Sequence, residues 1–144
     1  MELANQWLKR CNSKSPGHEN CITSRRGNFR PPRLLDVSGG TVRLSLKSQR
    51  IEQEPYCALS YCWGTSGQVI LTVSNEENFS QNIEFNALPK TIRDAIDVTR
   101  SLGIRYIWVD SLCIIQSGDN GKDWSYHSTK MSEIYANCIL NLSA

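Results

Sequence analysis

A chain of 144 residues, 40% of them hydrophobic and 21% charged, is long enough for one domain with its own core. Its formal net charge of +2 is too small for a nucleic-acid footprint, and no apolar run approaches the roughly 18 residues that span a bilayer. The start, MELANQWLKRC, lacks the apolar stretch of a signal peptide, so the expectation is an intracellular, cytoplasmic protein with no nucleic-acid partner and no membrane span.

Residues 1–33 read as an N-terminal lead-in, partly helical, and carry Trp7, Cys11, His18 and Cys21 among polar residues. Thiolates and an imidazole suit zinc, which makes Cys11, His18 and Cys21 candidate metal ligands. Six residues separate Cys11 from His18 and no fourth ligand is evident, so a loosely packed helix and loop is the competing reading. Positive charge is locally dense at Arg25, Arg26, Arg30 and Arg33, and a solvated loop accounts for it.

The run RLLDVSGGTVRLSL over 33–46 predicts a hairpin. Leu34, Leu35 and Val37 precede a Gly-Gly turn, and Val42, Leu44 and Leu46 then alternate with polar residues on a solvated face. Residues 47–55 form a polar loop. YCALSYCWG, residues 56–64, has no charge on either face and predicts a central strand. Ser60, Tyr61, Trp63 and Gly64 gather where its backbone leaves the sheet, so they are candidate ligand-binding residues; Gly64 permits a tight turn and Trp63 an aromatic wall, with a plain core role for Trp63 as the alternative. QVILTV over 68–73 predicts another strand, and 74–85 a variable loop or irregular helix.

The densest unit is LPKTIRDAIDVTRSLGIRYIWVDSLCIIQ, residues 88–116. Pro89 suits a first helical position and Gly103 a stop. Between them Ile92, Ala95, Ile96, Thr99 and Leu102 make one apolar face. A strand follows over 104–109, apolar on both faces as in a covered parallel sheet. Asp110 and Ser111 lie just past its carboxyl end, where open α/β sheets bind ligands; a turn or a helix cap is the simpler alternative. After a turn that Asp119, Asn120 or Asp123 can cap, a helix from about Trp124 places Trp124, His127, Ser128, Met131, Ile134, Tyr135 and Cys138 on one inward stripe. His127 there can act as a general acid or base, or be a packed histidine bonded to a neighbour. Residues 139–143 predict a last strand. Cys57, Cys62, Cys113 and Cys138 fall in apolar segments and read as reduced, buried thiols, so the sequons at Asn78 and Asn141 are expected to stay unglycosylated.

Taken in order, YCALSYCWG, the 88–116 unit and DWSYHSTKMSEIYANCILNLSA resemble the fungal heterokaryon-incompatibility (HET) domain over residues 56–144, with Trp7, Cys11, His18, Cys21 and PPRLLDV similar to its lead-in. The resemblance implies a HET domain over 34–144, shortened or a fragment at its carboxyl end, with a TIR-like, flavodoxin-like α/β fold: a mostly parallel sheet flanked by helices, plus the N-terminal hairpin. It implies a role in non-self recognition and programmed cell-death signalling, through self-association or protein partners. It also implies an alternative, hydrolysis of NAD, with a nucleotide bound among Ser60, Tyr61, Trp63, Gly64, Ser111 and Trp124 and with Asp110 and His127 as catalytic groups. The family more often has a glutamate three residues after the DW pair, where this sequence has His127. An imidazole does not supply the negative charge that steadies an oxocarbenium ion, and Glu133, six residues on, points elsewhere on the helix. The interaction role is therefore the favoured expectation.

Overall fold

Tyr56 and Cys57 are consecutive residues of one strand, so their side chains leave opposite faces of the sheet. In the computed structural model, which describes residues 2–13, 15–23, 29–49, 54–64 and 68–144, they meet different helices. The Tyr56 hydroxyl donates to the carbonyl of Ile134 at 2.6 Å, whereas the Cys57 thiol meets the Thr99 hydroxyl. Those partners lie on two helices, α6 (Lys122–Asn137) and α4 (Lys90–Ser101), which cover the two faces.

The sheet between them has five strands, β1 (Arg33–Asp36), β2 (Arg43–Leu46), β3 (Tyr56–Ser60), β4 (Tyr106–Val109) and β5 (Leu140–Ser143), in the order β2-β1-β4-β3-β5. β3 runs parallel to β4 and to β5, while β1 is antiparallel to both β2 and β4. The expected mostly parallel sheet is therefore corrected to a mixed one. Its antiparallel half is the predicted hairpin, which a short connection can only close with reversed strands. The four residues of β4 and Tyr56–Leu59 of β3 are all buried, as strands covered on both faces must be. Trp108 stands edge-on to Tyr135 of α6, with ring centroids 5.5 Å apart, and closes that face.

The helix α4 forms for the reasons its sequence offers. Ile92, Ala95, Ile96 and Thr99 are buried at helical spacing, and Thr99, a poor helix former, returns its hydroxyl to the carbonyl of Ala95 at 2.8 Å. Pro89 sits one residue before the helix as its cap rather than within it, and Gly103 ends the turn with a φ of 69°. At α6, Asp119 is the capping residue among the three candidates: its carboxylate accepts from the backbone N–H of Gly121 at 3.0 Å and of Asp123 at 2.7 Å.

Three further expectations change. Residues 68–73 form no strand; Leu71 exchanges backbone bonds with Ser111 and Gln116, and one bridge joins Thr72 to Ser117, so this segment pairs with the turn beyond β4 instead of with the sheet. Cys62 is exposed, because it lies past the end of β3, while Cys57 and Cys113 are buried. Burial pushes the Cys57 thiol up to about 12, so it is an inert apolar group. Of the arginine cluster, Arg25 and Arg26 lie outside the described residues, and Arg30 and Arg33 are not solvated. Arg30 bonds the carbonyl of Glu54 and stacks over Tyr56, and Arg33 pairs with Glu76 at 2.8 Å and Asp123 at 2.9 Å. The polar stretch 74–85 holds a short helix, α3 (Glu76–Gln81), and Glu76 is its contribution to that pair. The lead-in contains two helices, α1 (Glu2–Asn12) and α2 (Glu19–Thr23). Among the described residues no helix is long and apolar enough to cross a membrane.

At the hairpin end of the sheet, Asp36 is 3% exposed and receives Arg105 at 3.0 Å, Arg43 at 3.1 Å and the Ser38 hydroxyl at 2.8 Å. Burial alone would raise its pKa, but these donors hold the carboxyl well below the usual carboxylate range. A group depressed on folding stabilises above its unfolded pKa and loses that contribution as pH falls. Asp36→Asn should therefore cost about 2–4 kcal/mol near neutral pH, since it leaves two guanidinium groups facing a neutral amide. In urea unfolding the gap from the native chain should shrink at acid pH. A difference below about 0.5 kcal/mol at pH 7 would mean that Asp36 is not a structural anchor.

Candidate functional site

The chain leaves β3 toward α4 on one face and leaves β4 toward α6 on the other. Adjacent parallel strands whose connections part in this way open a crevice beyond their carboxyl ends, the place where α/β sheets bind ligands. The register puts Leu59 opposite Val109, so Ser60 and Asp110 emerge side by side. The chemistry of the crevice follows from those two exits.

Asp110 opens a one-turn helix, α5 (Asp110–Cys113). One carboxylate oxygen accepts the Trp63 indole N–H at 2.8 Å, and the other accepts the backbone N–H of Ser111 at 2.7 Å. The side-chain amide of Gln116 donates to the Asp110 carbonyl at 3.2 Å and to that of Ile114 at 3.0 Å, tying the exit from α5 back on itself. Beside the carboxylate, the Tyr61 and Ser111 hydroxyls lie 2.9 Å apart. Tyr135 reaches in from α6 with its hydroxyl 3.5 Å from the carbonyl of Leu59.

Burial raises the Asp110 carboxyl above its ordinary value, partly offset by the Trp63 and Ser111 donors, neither of them charged. Burial likewise pushes the Tyr61 phenol up to about 12, with the Asp110 charge adding to it. The result is a half-buried carboxylate held by neutral donors, with lone pairs left over, and phenol and hydroxyl groups that stay protonated at neutral pH. Such a set accepts hydrogen bonds from ligand hydroxyl or amino groups and donates to ligand oxygens.

Of the residues singled out in the sequence, Tyr61 meets Ser111 and Trp63 meets Asp110, and the register sets Ser60 beside Asp110. Gly64 has a φ of 74°, in the left-handed region where any other residue would be strained, and is exposed at the rim. Trp124 is corrected: it is 56% exposed on the first turn of α6, so it is not part of the inward stripe, and neither is the exposed Ser128. The stripe that does pack is His127, Ile134 and, half-buried, Met131, Tyr135 and Cys138.

His127 is fully buried and takes its partner from its own helix. Its Nδ1–H donates to the Asp123 carbonyl at 2.8 Å, and its ring stands edge-on to Tyr126. Because a carbonyl only accepts, Nδ1 carries a proton, and Nε2 is buried without a partner among the described residues. The Asp123 carboxylate one turn earlier is engaged through Oδ2 by Arg33 and by the backbone N–H of Ile115 at 2.8 Å, and its Oδ1 lies 3.5 Å from His127 Nδ1. In the lead-in, Cys11, His18 and Cys21 converge, with their ligand atoms within 4.8 Å of one another. Tyr135, Gln116 and Arg33 carried no motif. Tyr135 was legible only as a member of the inward stripe, and nothing in the local sequence marks the other two.

The indole donor gives a direct check. In Trp63→Phe, Asp110 loses a hydrogen bond to its charged form, so its pKa should rise further above the ordinary carboxylate value; carbon-detected NMR titration of the Asp110 carboxyl measures this. An unchanged or lowered value would mean that Trp63 does not hold the carboxylate.

No curated protein and no solved structure matches this chain. A family model does: residues 56–144, from the first residue of β3 through β5, match the family described as heterokaryon incompatibility protein (HET). This span holds the whole crevice and more than half of the chain, and the protein belongs to the HET family.

Proposed function

We propose that this protein serves heterokaryon incompatibility as an intracellular signalling and interaction module, taking part in non-self recognition and programmed cell death through self-association or protein partners. The observation that carries this reading is the state of residue 127. A glycosidic hydrolysis needs a negative charge set against the developing oxocarbenium ion, and His127 offers a buried imidazole with one nitrogen tied to its own helix. Asp110 is then the one carboxylate in the crevice among the described residues. Surfaces that suit association lie nearby: β5 is an edge strand, and Trp124 and Tyr126 are 56% and 46% exposed on α6.

The second reading is a TIR-like NAD glycohydrolase with an altered site. It is favoured by the placement of Asp110, Tyr61 and Trp63 in a switch-point crevice, the kind of place a flavodoxin-like sheet uses for a nucleotide. Purified protein incubated with NAD separates the two. Nicotinamide release should stay at the level of a blank, and light scattering after gel filtration should show assemblies larger than one chain or recruitment of a partner. Release that is lost in Asp110→Ala would overturn the interaction reading. His127→Glu restores the charge at the altered position, so release in that variant alone would identify a silenced enzyme site.

A further inference from the structure

We propose that Cys11, His18 and Cys21 form a zinc site that clamps the two N-terminal helices together. The three residues come from different places in the lead-in. Cys11 is in the last turn of α1, Cys21 is on α2, and His18 precedes α2 at the end of the intervening turn. That turn is built to bring them together. The backbone N–H of Ser13 donates to the Arg10 carbonyl, that of His18 donates to the Ser15 carbonyl, and Gly17 takes a φ of 83° that other residues rarely adopt. The Glu19 carboxylate accepts the backbone N–H of Gly17 at 3.0 Å, so it braces the turn and stays out of the ligand set.

The distances match a shared ion. Zinc bonds of about 2.3 Å to sulfur and about 2.1 Å to nitrogen place tetrahedral sulfur and nitrogen ligands about 3.6 Å apart. The Cys11 sulfur lies 3.4 Å from His18 Nδ1, and the Cys21 sulfur lies 3.6 Å from the same nitrogen. One ring nitrogen has a single lone pair, or a single proton, in the ring plane, so it serves one thiol well but not two. Two sulfurs converging on it are what a cation at their centre would hold in place. Two soft sulfurs and an imidazole select zinc over calcium or magnesium. Among the described residues no fourth histidine, cysteine or carboxylate joins the cluster.

The packing supplies an independent reason. α1 buries none of its residues, Leu3 and Trp7 on it are 55% and 57% exposed, and it touches the body through the half-buried Leu8 and a bond from Asn5 to the Ser101 carbonyl at 3.3 Å. Helices of 11 and 5 residues without a core of their own need a staple, and a metal whose ligands span both provides one. On binding, each thiol gives up its proton and becomes a thiolate ligand; the imidazole binds through Nδ1.

The test uses the full chain, purified with reductant and freed of metal, then titrated with cobalt(II) alone and back-titrated with zinc(II). One cobalt per chain should bind, with the thiolate charge-transfer and visible bands of a tetrahedral site, and zinc should displace it. Cys11→Ser, Cys21→Ser and His18→Ala should each weaken binding by more than about 100-fold, beyond the effect of losing a supporting residue. Cys62→Ser, an exposed thiol outside the cluster, should bind as the native chain does. Zinc should also slow trypsin cleavage after Lys9 and Arg10 without moving the thermal transition of the core. Because the ligands are outside that core, the variants should fold, and circular dichroism confirms it. Absence of the bands, bands that persist in the Cys11→Ser/Cys21→Ser double variant, unchanged affinity in His18→Ala, or a Cys11–Cys21 disulfide in the protein kept under reductant would each overturn the site.

Discussion

The parallel register of β3 on β4 is the constraint on which the rest of the molecule depends. With Tyr56 opposite Tyr106 and Leu59 opposite Val109, two strands that have no polar face must be covered on both sides. One side is taken by the apolar face of α4. The other is taken by α6, whose Ile134 carbonyl and Tyr135 ring receive Tyr56 and Trp108. The same register brings the exits of the two strands together, so a shift of one residue would turn Cys57 toward α6, Tyr56 toward α4, and separate Tyr61 and Trp63 from Asp110 and Ser111.

Charge is distributed at the two ends of the sheet in contrasting ways. At the hairpin end, Asp36 is buried and met by Arg43 and Arg105, which fixes β1, β2 and the start of β4 to one another. Along the other side, Arg33 joins β1 to α3 and α6 through Glu76 and Asp123. In both sets each carboxylate meets a guanidinium. Asp110 differs because its donors are an indole and a backbone N–H, neither of them charged. A carboxylate left in that state is less stabilised as an ion than Asp36, and this makes it the group best suited to meet a ligand. A cavity of about 280 Å³ also lies beside Asp36, Arg43 and Arg105, at the amino end of β4. Its charged groups are already paired with one another, so the chemistry points to the crevice and not to that hollow.

Much of the fold was legible because its signals were local. The apolar spacing from Ile92 to Thr99 and the glycine at 103 define α4, and the uncharged runs at 56–59 and 106–109 define strands buried on both faces. The hairpin was visible in the alternation of Val42 and Leu44 with polar neighbours. The segment 68–73 misled because β-branched composition describes a surface that packs well, not the partner it packs against; here that partner is the turn after β4. Trp124 misled for a related reason. Helical spacing places it near the stripe of His127 and Tyr135, but it is 56% exposed while Asp123 beside it turns inward to Arg33 and Ile115.

By itself the sequence determined the helix over 90–101, the strands at 56–60 and 106–109, the placement of Ser60, Tyr61 and Trp63 and of Asp110 and Ser111 at two strand ends, and the family, since each depends on residues close together in the chain or on ordered blocks of them. The tertiary structure alone decided how the strands order into a mixed sheet, which helix lies on which face, and which polar groups find partners. It also decided that Arg33 is an anchor, that His127 is buried against its own helix, and that Cys11, His18 and Cys21 share one spot. The physical reason is that hydrogen bonds, ion pairs and ligand sets depend on distances of about 3–4 Å between residues that can be dozens of positions apart. Periodicity reports which face of an element is apolar, and it carries no information about what lies across from that face.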